Sequence, residues 1–325
     1  MLRKLSCIIF VSYTLLFNSC KLEDDDKAKI SIGFSQSVSN DNWRISMNHA
    51  MEVEAALHPE VKLTIYNANR QAKKQIDDIE KFIADKVDVI IVSPFESDSI
   101  IPVIEKANAI GIPVIIVDRK VNTSNYTAYL GADNVEVGRI AGRHIVSLSK
   151  GNANVIEIKG ASYTSPGLER TMGFRQIIDQ YPGVKVISID AKKDELPKDV
   201  FVNILKNAPE INYVYAYNDV IAYQAWKAAK GENAKNKIKI IGVDGVNGPN
   251  GGIQLVKDRI LEATVLYPTG GSEAIKLALK IANKEIVPKN NKLNTTLIDS
   301  LNADIMGNQF DKITIQQSDI EQQQA

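Results

Sequence analysis

The stretch GIPVIIVDRK, residues 111–120, decides how the rest of the chain is read. Residues 112–117 form a short apolar run, and Asp118 and Arg119 follow it together. An unbroken apolar run of this length suits a strand buried on both faces, as in a parallel sheet covered by helices. Two opposite charges directly after it then stand at the carboxyl end of the strand, the edge where doubly wound sheets receive ligands. Outward from this stretch the pattern repeats. Upstream, KISIGFS (29–35), VKLTIYN (61–67) and VDVIIVSP (87–94) read as strands, and residues 43–57, 71–86 and 99–110 carry apolar positions three and four apart, the helical period. Downstream, strands are expected at 153–160, 184–190, 211–218, 238–244, 261–268 and 293–299, with helices at 137–150, 167–181, 221–230 and 271–285. The fold class is therefore α/β: two doubly wound parallel-sheet lobes with helices on both faces.

Bulk composition narrows the function. The chain has 325 residues, enough for two domains, with 39 basic and 39 acidic side chains. A neutral chain lacks the clustered positive charge of a nucleic-acid-binding surface, so no nucleic-acid partner is expected. Residues 1–20, MLRKLSCIIFVSYTLLFNSC, differ from the rest: Arg3 and Lys4 precede an apolar run from Leu5 to Phe17, and Ser19 precedes Cys20. This reads as an export signal. The run is short of the roughly 20 residues a spanning helix needs. Ser19-Cys20 resembles a lipoprotein cleavage site with Cys20 as the lipidated residue; a short signal-anchor helix is the alternative. Residues 21–28 read as a charged tether. Cys7 and Cys20 are the only cysteines, so the exported body holds no disulfide and no thiolate metal site.

The other strand ends carry polar or aromatic groups too. The first strand runs out into SQSVSNDNWR (35–44), with Asp41, Asn42, Trp43 and Arg44; the third ends in SPFESDS (93–99). SYTSPGLER (162–170) places Arg170 in the first helical turns after a strand. Further ends bring Asn218, Asp244 and Tyr267. Carboxylates and amides make paired hydrogen bonds, arginine presents a planar fork, and an indole offers a flat face to C–H bonds. That set suits a neutral sugar better than a phosphate, which calls for basic excess and a glycine-rich cradle. Each residue also has a plainer role: Asn218-Asp219 as a helix cap, Asp244 before Gly245 as a turn, Trp43 as core, Asp118–Arg119 as a mutual ion pair, and Arg44 and Arg170 as solvated side chains. Their shared edge favours binding. No catalytic residue, metal site or cofactor is expected. His49, His58 and His144 lack metal-ligand spacing, GVNGPNGG (245–252) is not a dinucleotide loop, and neither G-x-S-x-G nor a Walker motif is present.

The pieces IPVIIVDRK, GADNVEVGRIAG, ERTMGF, VYAYNDVIA, IGVDG and LEATV, in this order over residues 29–300, resemble the ribose-type periplasmic sugar-binding proteins, which have the type 1 periplasmic binding protein fold. The resemblance implies two lobes joined by a three-crossover hinge, near residues 132, 266 and 292, closing over one monosaccharide. It implies lobes of 29–132 with 267–292 and of 133–266 with 293–312, followed by a polar tail at 313–325. It also implies sugar contacts from Asp118, Arg119, Arg170, Asn218 and Asp244. The family's aromatic pair falls on Trp43 and Arg44, an amide position falls on Tyr267, and an aromatic near 191–196 has no counterpart in AKKDEL. Narrower pieces (SQSVSNDNWR, NGPNGGIQLVKD, EATVLYPTGG and the Gln-rich tail) resemble the sugar-sensing periplasmic domains of hybrid two-component sensors. The function so implied is a membrane-tethered periplasmic sensor of a ribose- or fructose-like sugar. Any kinase and membrane helix would lie downstream of residue 325, and a homodimer is one possible state. The alternative is a lipoprotein sugar-binding component of an ABC transporter.

Overall fold

The computed structural model describes residues 30–192, 195–208, 210–232 and 238–308. The export segment with Cys20, the 21–28 tether and the 313–325 tail lie outside the described residues.

Two sheets organise the chain. The first contains β1 (Ile30–Gln36), β2 (Val61–Asn67), β3 (Val89–Val92), β4 (Val114–Val117), β5 (Ala128–Ala132) and β11 (Asn290–Leu293), in the order β11-β5-β4-β3-β1-β2, all parallel. The second contains β6 (Ala153–Lys159), β7 (Val184–Asp190), β8 (Tyr213–Ala216), β9 (Lys239–Asp244), β10 (Ala263–Leu266) and β12 (Leu297–Asp299), in the order β12-β10-β9-β8-β6-β7. Its one antiparallel pairing is β10 with β12. The apolar runs VIIV of β3 and β4 are buried along their whole length, as strands covered on both faces must be. Each such Val or Ile contributes roughly 1.5–3 kcal/mol on burial.

Helices cover both faces. On the first sheet, α1 (Asn42–Ala56) and α9 (Gly271–Ala282) pack on one side, and α2 (Ala72–Ala84) and α3 (Ile101–Ala109) on the other. On the second, α4 (Asn134–Ser149) and α5 (Ser165–Ile178) lie on one side, and α6 (Lys198–Asn207), α7 (Asp219–Gly231) and α8 (Gly252–Lys257) on the other. The chain passes between the sheets three times: from β5 into α4, from β10 into α9, and from β11 into β12. Short side-chain caps start the helices at these edges: Asp41 accepts the Arg44 N–H, Asp133 those of Val135 and Glu136, and Asn218 that of Ile221.

The structure corrects the sequence reading in places. The strand expected at 293–299 is two: β11 ends at Leu293 in the first sheet and β12 begins at Leu297 in the second. Strands β5 and β11 and helices α6 and α8 are additions to the sequence reading; α6 is amphipathic, with Phe201 buried, so its pattern was there to be read. AYLGA is short and follows a turn-rich segment, and NNKL is a polar edge strand, which carries no alternating pattern to detect.

Candidate functional site

The carboxyl ends of the two sheets face each other across a cleft. Its wall includes Trp43, Arg44, Asp118, Arg119, Arg170, Asn218, Asp244 and Tyr267, and the cleft with its open mouth encloses about 630 Å³. The remaining two candidates, Asp41 and Asn42, stand outside the wall. Asp41 caps α1 and accepts from the Arg44 guanidinium at 2.8 Å, and Asn42 donates its amide to the Pro249 carbonyl at 3.0 Å. The wall also holds Val38, Arg70, Phe95, Tyr163, Thr164 and Tyr217, none singled out in the sequence.

Asp118 and Asp244 occupy equivalent places, each at the carboxyl edge of a buried strand and each with positive φ: 63° and 124°. Asp tolerates the left-handed region better than most residues, but 124° lies where glycine alone is comfortable, a strain of about 1–3 kcal/mol. Both residues line the cleft from these positive-φ positions. Asp118 is not the half-exposed ion pair that its sequence position suggests: it is 5% exposed. Its Oδ2 lies 3.9 Å from both Arg44 Nη2 and Arg119 Nε, and its carbonyl accepts the hydroxyls of Tyr129 (2.8 Å) and Tyr267 (3.3 Å). Arg119 in turn donates to the carbonyls of Pro94 (3.3 Å) and Phe95 (3.1 Å), which fixes its head beside the carboxylate.

Arg170 is the hub of the other side. It is 4% exposed. Nε donates to Asn134 Oδ1 at 2.9 Å, Nη1 donates to the Tyr217 carbonyl at 2.6 Å, and Nη1 lies 3.7 Å from Asp244 Oδ1. The guanidinium carbon sits 4.8 Å from the centre of the Tyr267 ring. Burial pushes the Asp244 carboxyl well above the usual carboxylate range; Arg170 opposes this, while Asp219 and Asp41 reinforce it. Trp43 is both core and wall: buried, its Nε1 donates to the Tyr267 carbonyl at 2.7 Å, with the two rings 5.7 Å apart. Asn218 caps α7 and lines the cleft as well, so the cap does not exclude it from the wall.

The lobes touch at the rim. Lys120 Nζ pairs with Glu169 Oε1 at 2.6 Å, the Lys120 N–H donates to Ser165 Oγ at 2.8 Å, and the Phe95 and Tyr163 rings lie 6.0 Å apart. Chemically the cleft offers buried acceptors, fixed guanidinium donors and aromatic faces, which suits a small polyol. Among the described residues no group of three or more His, Cys, Asp or Glu could hold a metal ion.

A test of Asp118 follows from its backbone. Alanine is poorly accommodated at φ 63°, whereas asparagine tolerates it, so Asp118→Asn removes the charge alone. A hydrogen bond to a charged group contributes about 1.5–3 kcal/mol, so this variant should weaken ligand binding about tenfold or more. Its melting temperature without ligand should fall as well, because a buried carboxylate facing Arg44 and Arg119 is neutralised. Calorimetry that finds unchanged affinity in a folded Asp118→Asn protein would make the Asp118 cluster structural.

Comparisons with known proteins agree with this architecture. A family profile described as "Periplasmic binding protein domain" matches residues 32–286. The Ribose import binding protein RbsB of Bacillus subtilis (strain 168) is 30% identical over 275 residues, covering 81% of this chain and 88% of its own length. The fructose binding periplasmic domain of the hybrid two component system BT1754 superposes with a TM-score of 0.86 at 37% identity, covering 90% of this chain and 98% of that domain. An ABC transporter solute binding protein from Bacillus halodurans C-125, solved with bound myo-inositol, superposes with a TM-score of 0.80 at 26% identity, covering 87% of this chain and 99% of its own. Sheet order, the three passages between sheets and the profile match over most of the chain place it in the periplasmic binding protein family, with the type 1 fold.

Proposed function

We propose that this chain is an exported, membrane-tethered domain that binds a ribose- or fructose-like monosaccharide and closes on it. The observation that carries this reading is the cleft itself: Asp118 and Asp244, lining it from positive-φ positions, each beside a buried guanidinium and near the Trp43 and Tyr267 rings. Neutral hydroxyls satisfy such acceptors and donors together, and ring faces cover the C–H side of a sugar. Calorimetric titration with D-fructose, D-ribose and myo-inositol tests it. Binding of fructose or ribose is expected; absence of heat and of thermal stabilisation with every monosaccharide at millimolar concentration would overturn it.

We read the output as signalling rather than transport. The support is the likeness to the fructose-binding sensor domain, 37% identical against 26% for the myo-inositol transporter component. A strain lacking the gene should lose its transcriptional response to the sugar and keep uptake; the reverse result would favour the ABC transporter component. Tethering through Cys20 is tested by Cys20→Ala and fractionation, where release from the membrane is expected. Among the described residues no helix is long and apolar enough to cross a membrane.

Closure would move the lobes, taken as 29–132 with 267–292 and 133–266 with 293–312, about the three passages. The rim pair Lys120–Glu169 then forms only in the closed state. Exposed pairs contribute about 0–1 kcal/mol, so Glu169→Lys should weaken binding a few-fold at low salt, and Lys120→Glu in the same chain should restore it. Equal affinity for Glu169→Lys and wild type at low salt would remove the pair from the closing energetics.

A further inference from the structure

Asp219 is the first residue of α7 and is 3% exposed. It does not line the cleft; its carboxylate fills a slot behind Asp244. Oδ2 accepts the Gly245 N–H at 2.8 Å, and Oδ1 accepts the Thr264 hydroxyl at 2.8 Å. Two glycines shape the slot. A Cβ on Gly242 would stand 2.1 Å from Oδ1, and one on Gly252 would stand 2.0 Å from Oδ2. The end of α7 does not need this carboxylate, because Asn218 already accepts the Ile221 N–H as its cap. Both bonds of Asp219 instead reach into neighbouring elements, the turn after β9 and the strand β10.

That turn is the strained one. Asp244 has φ 124° and Gly245 φ 63°. Such a conformation persists only where its surroundings over-determine it. Two bonds do so here: Asp219 holds the Gly245 amide, and the Tyr267 N–H donates to the Asp244 carbonyl at 3.0 Å. We propose that Asp219 is a positioning residue for ligand binding: through the Gly245 amide it fixes the turn that aims the Asp244 carboxylate into the cleft. The proposal rests on the sugar-binding reading above.

The charged groups facing Asp219 are Arg170 from α5 and Asp244 from β9; Thr264 from β10 and Gly252 from α8 are uncharged. Burial pushes Asp219 up to about 7, against the Gly245 amide, the Thr264 hydroxyl and Arg170, which pull it down. Its ionised form also raises Asp244. Asparagine at 219 keeps the shape and both bonds, since its carbonyl accepts from Gly245 and its NH₂ donates to Thr264 Oγ1, but it removes the charge. The folded value lies above the unfolded value near 4, so ionisation opposes the fold: stability is fullest below about 4 and is lost as pH rises through about 7. Asp219→Asn escapes that loss, and its melting temperature should rise relative to wild type between pH 5 and pH 8.

The decisive measurement is affinity in the full chain, by calorimetry with the monosaccharide that wild type binds, together with amide exchange at Gly245 without ligand. Asp219→Ala should bind about tenfold or more weakly and exchange the Gly245 amide faster. Asp219→Asn should keep affinity within about threefold at pH 7, because its side-chain carbonyl still accepts the Gly245 N–H. Thr264→Val, which removes one of the two donors, should fall between them. A folded Asp219→Ala protein with wild-type affinity and unchanged Gly245 exchange would overturn the proposal. Should that variant fail to fold, Thr264→Val with unchanged affinity and exchange overturns it instead. If wild type binds no monosaccharide, the sugar reading fails by itself, and Gly245 exchange in the same variants still decides whether Asp219 holds the turn.

Discussion

Replacing Arg170 with alanine is expected to weaken monosaccharide binding by about a hundredfold or more and to lower the stability of the unliganded protein as well. The guanidinium serves four partners at once: the Asn134 amide oxygen, the Tyr217 carbonyl, the Asp244 carboxylate and the Tyr267 ring. Alanine removes the donor to the buried Asn134 Oδ1 and to the Tyr217 carbonyl, and leaves Asp244 without its facing positive charge. Removing one partner of a buried pair costs about 3–5 kcal/mol, mostly because the other is left uncompensated. Asp244 is already raised well above its ordinary value by burial, and Arg170 is the largest influence opposing that. Without it the carboxyl holds its proton to still higher pH and becomes a poorer acceptor for a sugar hydroxyl. On the proposed binding mode the loss in affinity has two parts, the arginine–sugar bonds that mode would make, at about 1.5–3 kcal/mol each, and the altered Asp244. Arg170→Lys separates them: one ammonium keeps a positive charge near Asp244 but cannot fork to Asn134 and Tyr217 together. It should sit between wild type and alanine in affinity. Titration of the folded fraction, with the melting temperature measured beside it, checks this. Arg170→Ala within about threefold of wild type would remove the arginine from the binding machinery.

The path to Arg170 from sequence shows what single residues disclose. The fold was legible because buried parallel strands announce themselves: VIIV occurs in both β3 and β4 and has no helical reading at four residues between turn signals. The same rule, that ligands gather at carboxyl strand ends, led to Asp118, Arg170, Asn218, Asp244 and Tyr267, all of which the structure brings to one cleft. Applied more strictly it would have found two more. Phe95 lies in SPFESDS after β3, and Arg70 lies three residues past β2. Asp41 and Asn42 show the rule's limit. They stand at the correct strand end, but a helix starts there, and its free N–H groups claim Asp41 as a cap. Tyr163, Thr164 and Tyr217 were hidden for a different reason. Their place in the wall depends on where loops carry them, and nothing in SYTS or AYND distinguishes a ring facing a cleft from one facing solvent. The positive φ of Asp118 and Asp244 was likewise invisible, since it is set by the tertiary bonds around each turn rather than by the residue itself.

Gly173→Ala is expected to destabilise the protein by about 2 kcal/mol or more and to disturb the cleft from a distance. Helices α4 and α5 cross in contact through Gly138 and Gly173. A Cβ at Gly173 would stand 1.9 Å from the Val135 carbonyl oxygen, and one at Gly138 would stand 2.0 Å from the Arg170 carbonyl oxygen. These are backbone atoms, so no rotamer change relieves the overlap; the helices must separate. Intrinsic helix propensity favours alanine over glycine by about 1 kcal/mol, which works against the expected loss. Overpacking costs about 1–3 kcal/mol even where side chains can give, and more where backbone must move. The clash therefore wins. At about 2–4 °C per kcal/mol for a protein of this size, the melting temperature should fall by roughly 5 °C or more. The separation also reaches the site, because Arg170 rides on α5 and donates to Asn134 on α4 across this crossing. Affinity should fall with stability, although residue 173 touches no cleft group. Gly231→Ala is the control: at the end of α7 a Cβ there meets nothing within 4 Å, so propensity acts alone and the variant should be as stable as wild type or slightly more so. If Gly173→Ala melts with wild type while Arg170→Ala loses affinity, the α4–α5 crossing is looser than the glycine contacts imply, and Arg170 is held by its hydrogen bonds alone.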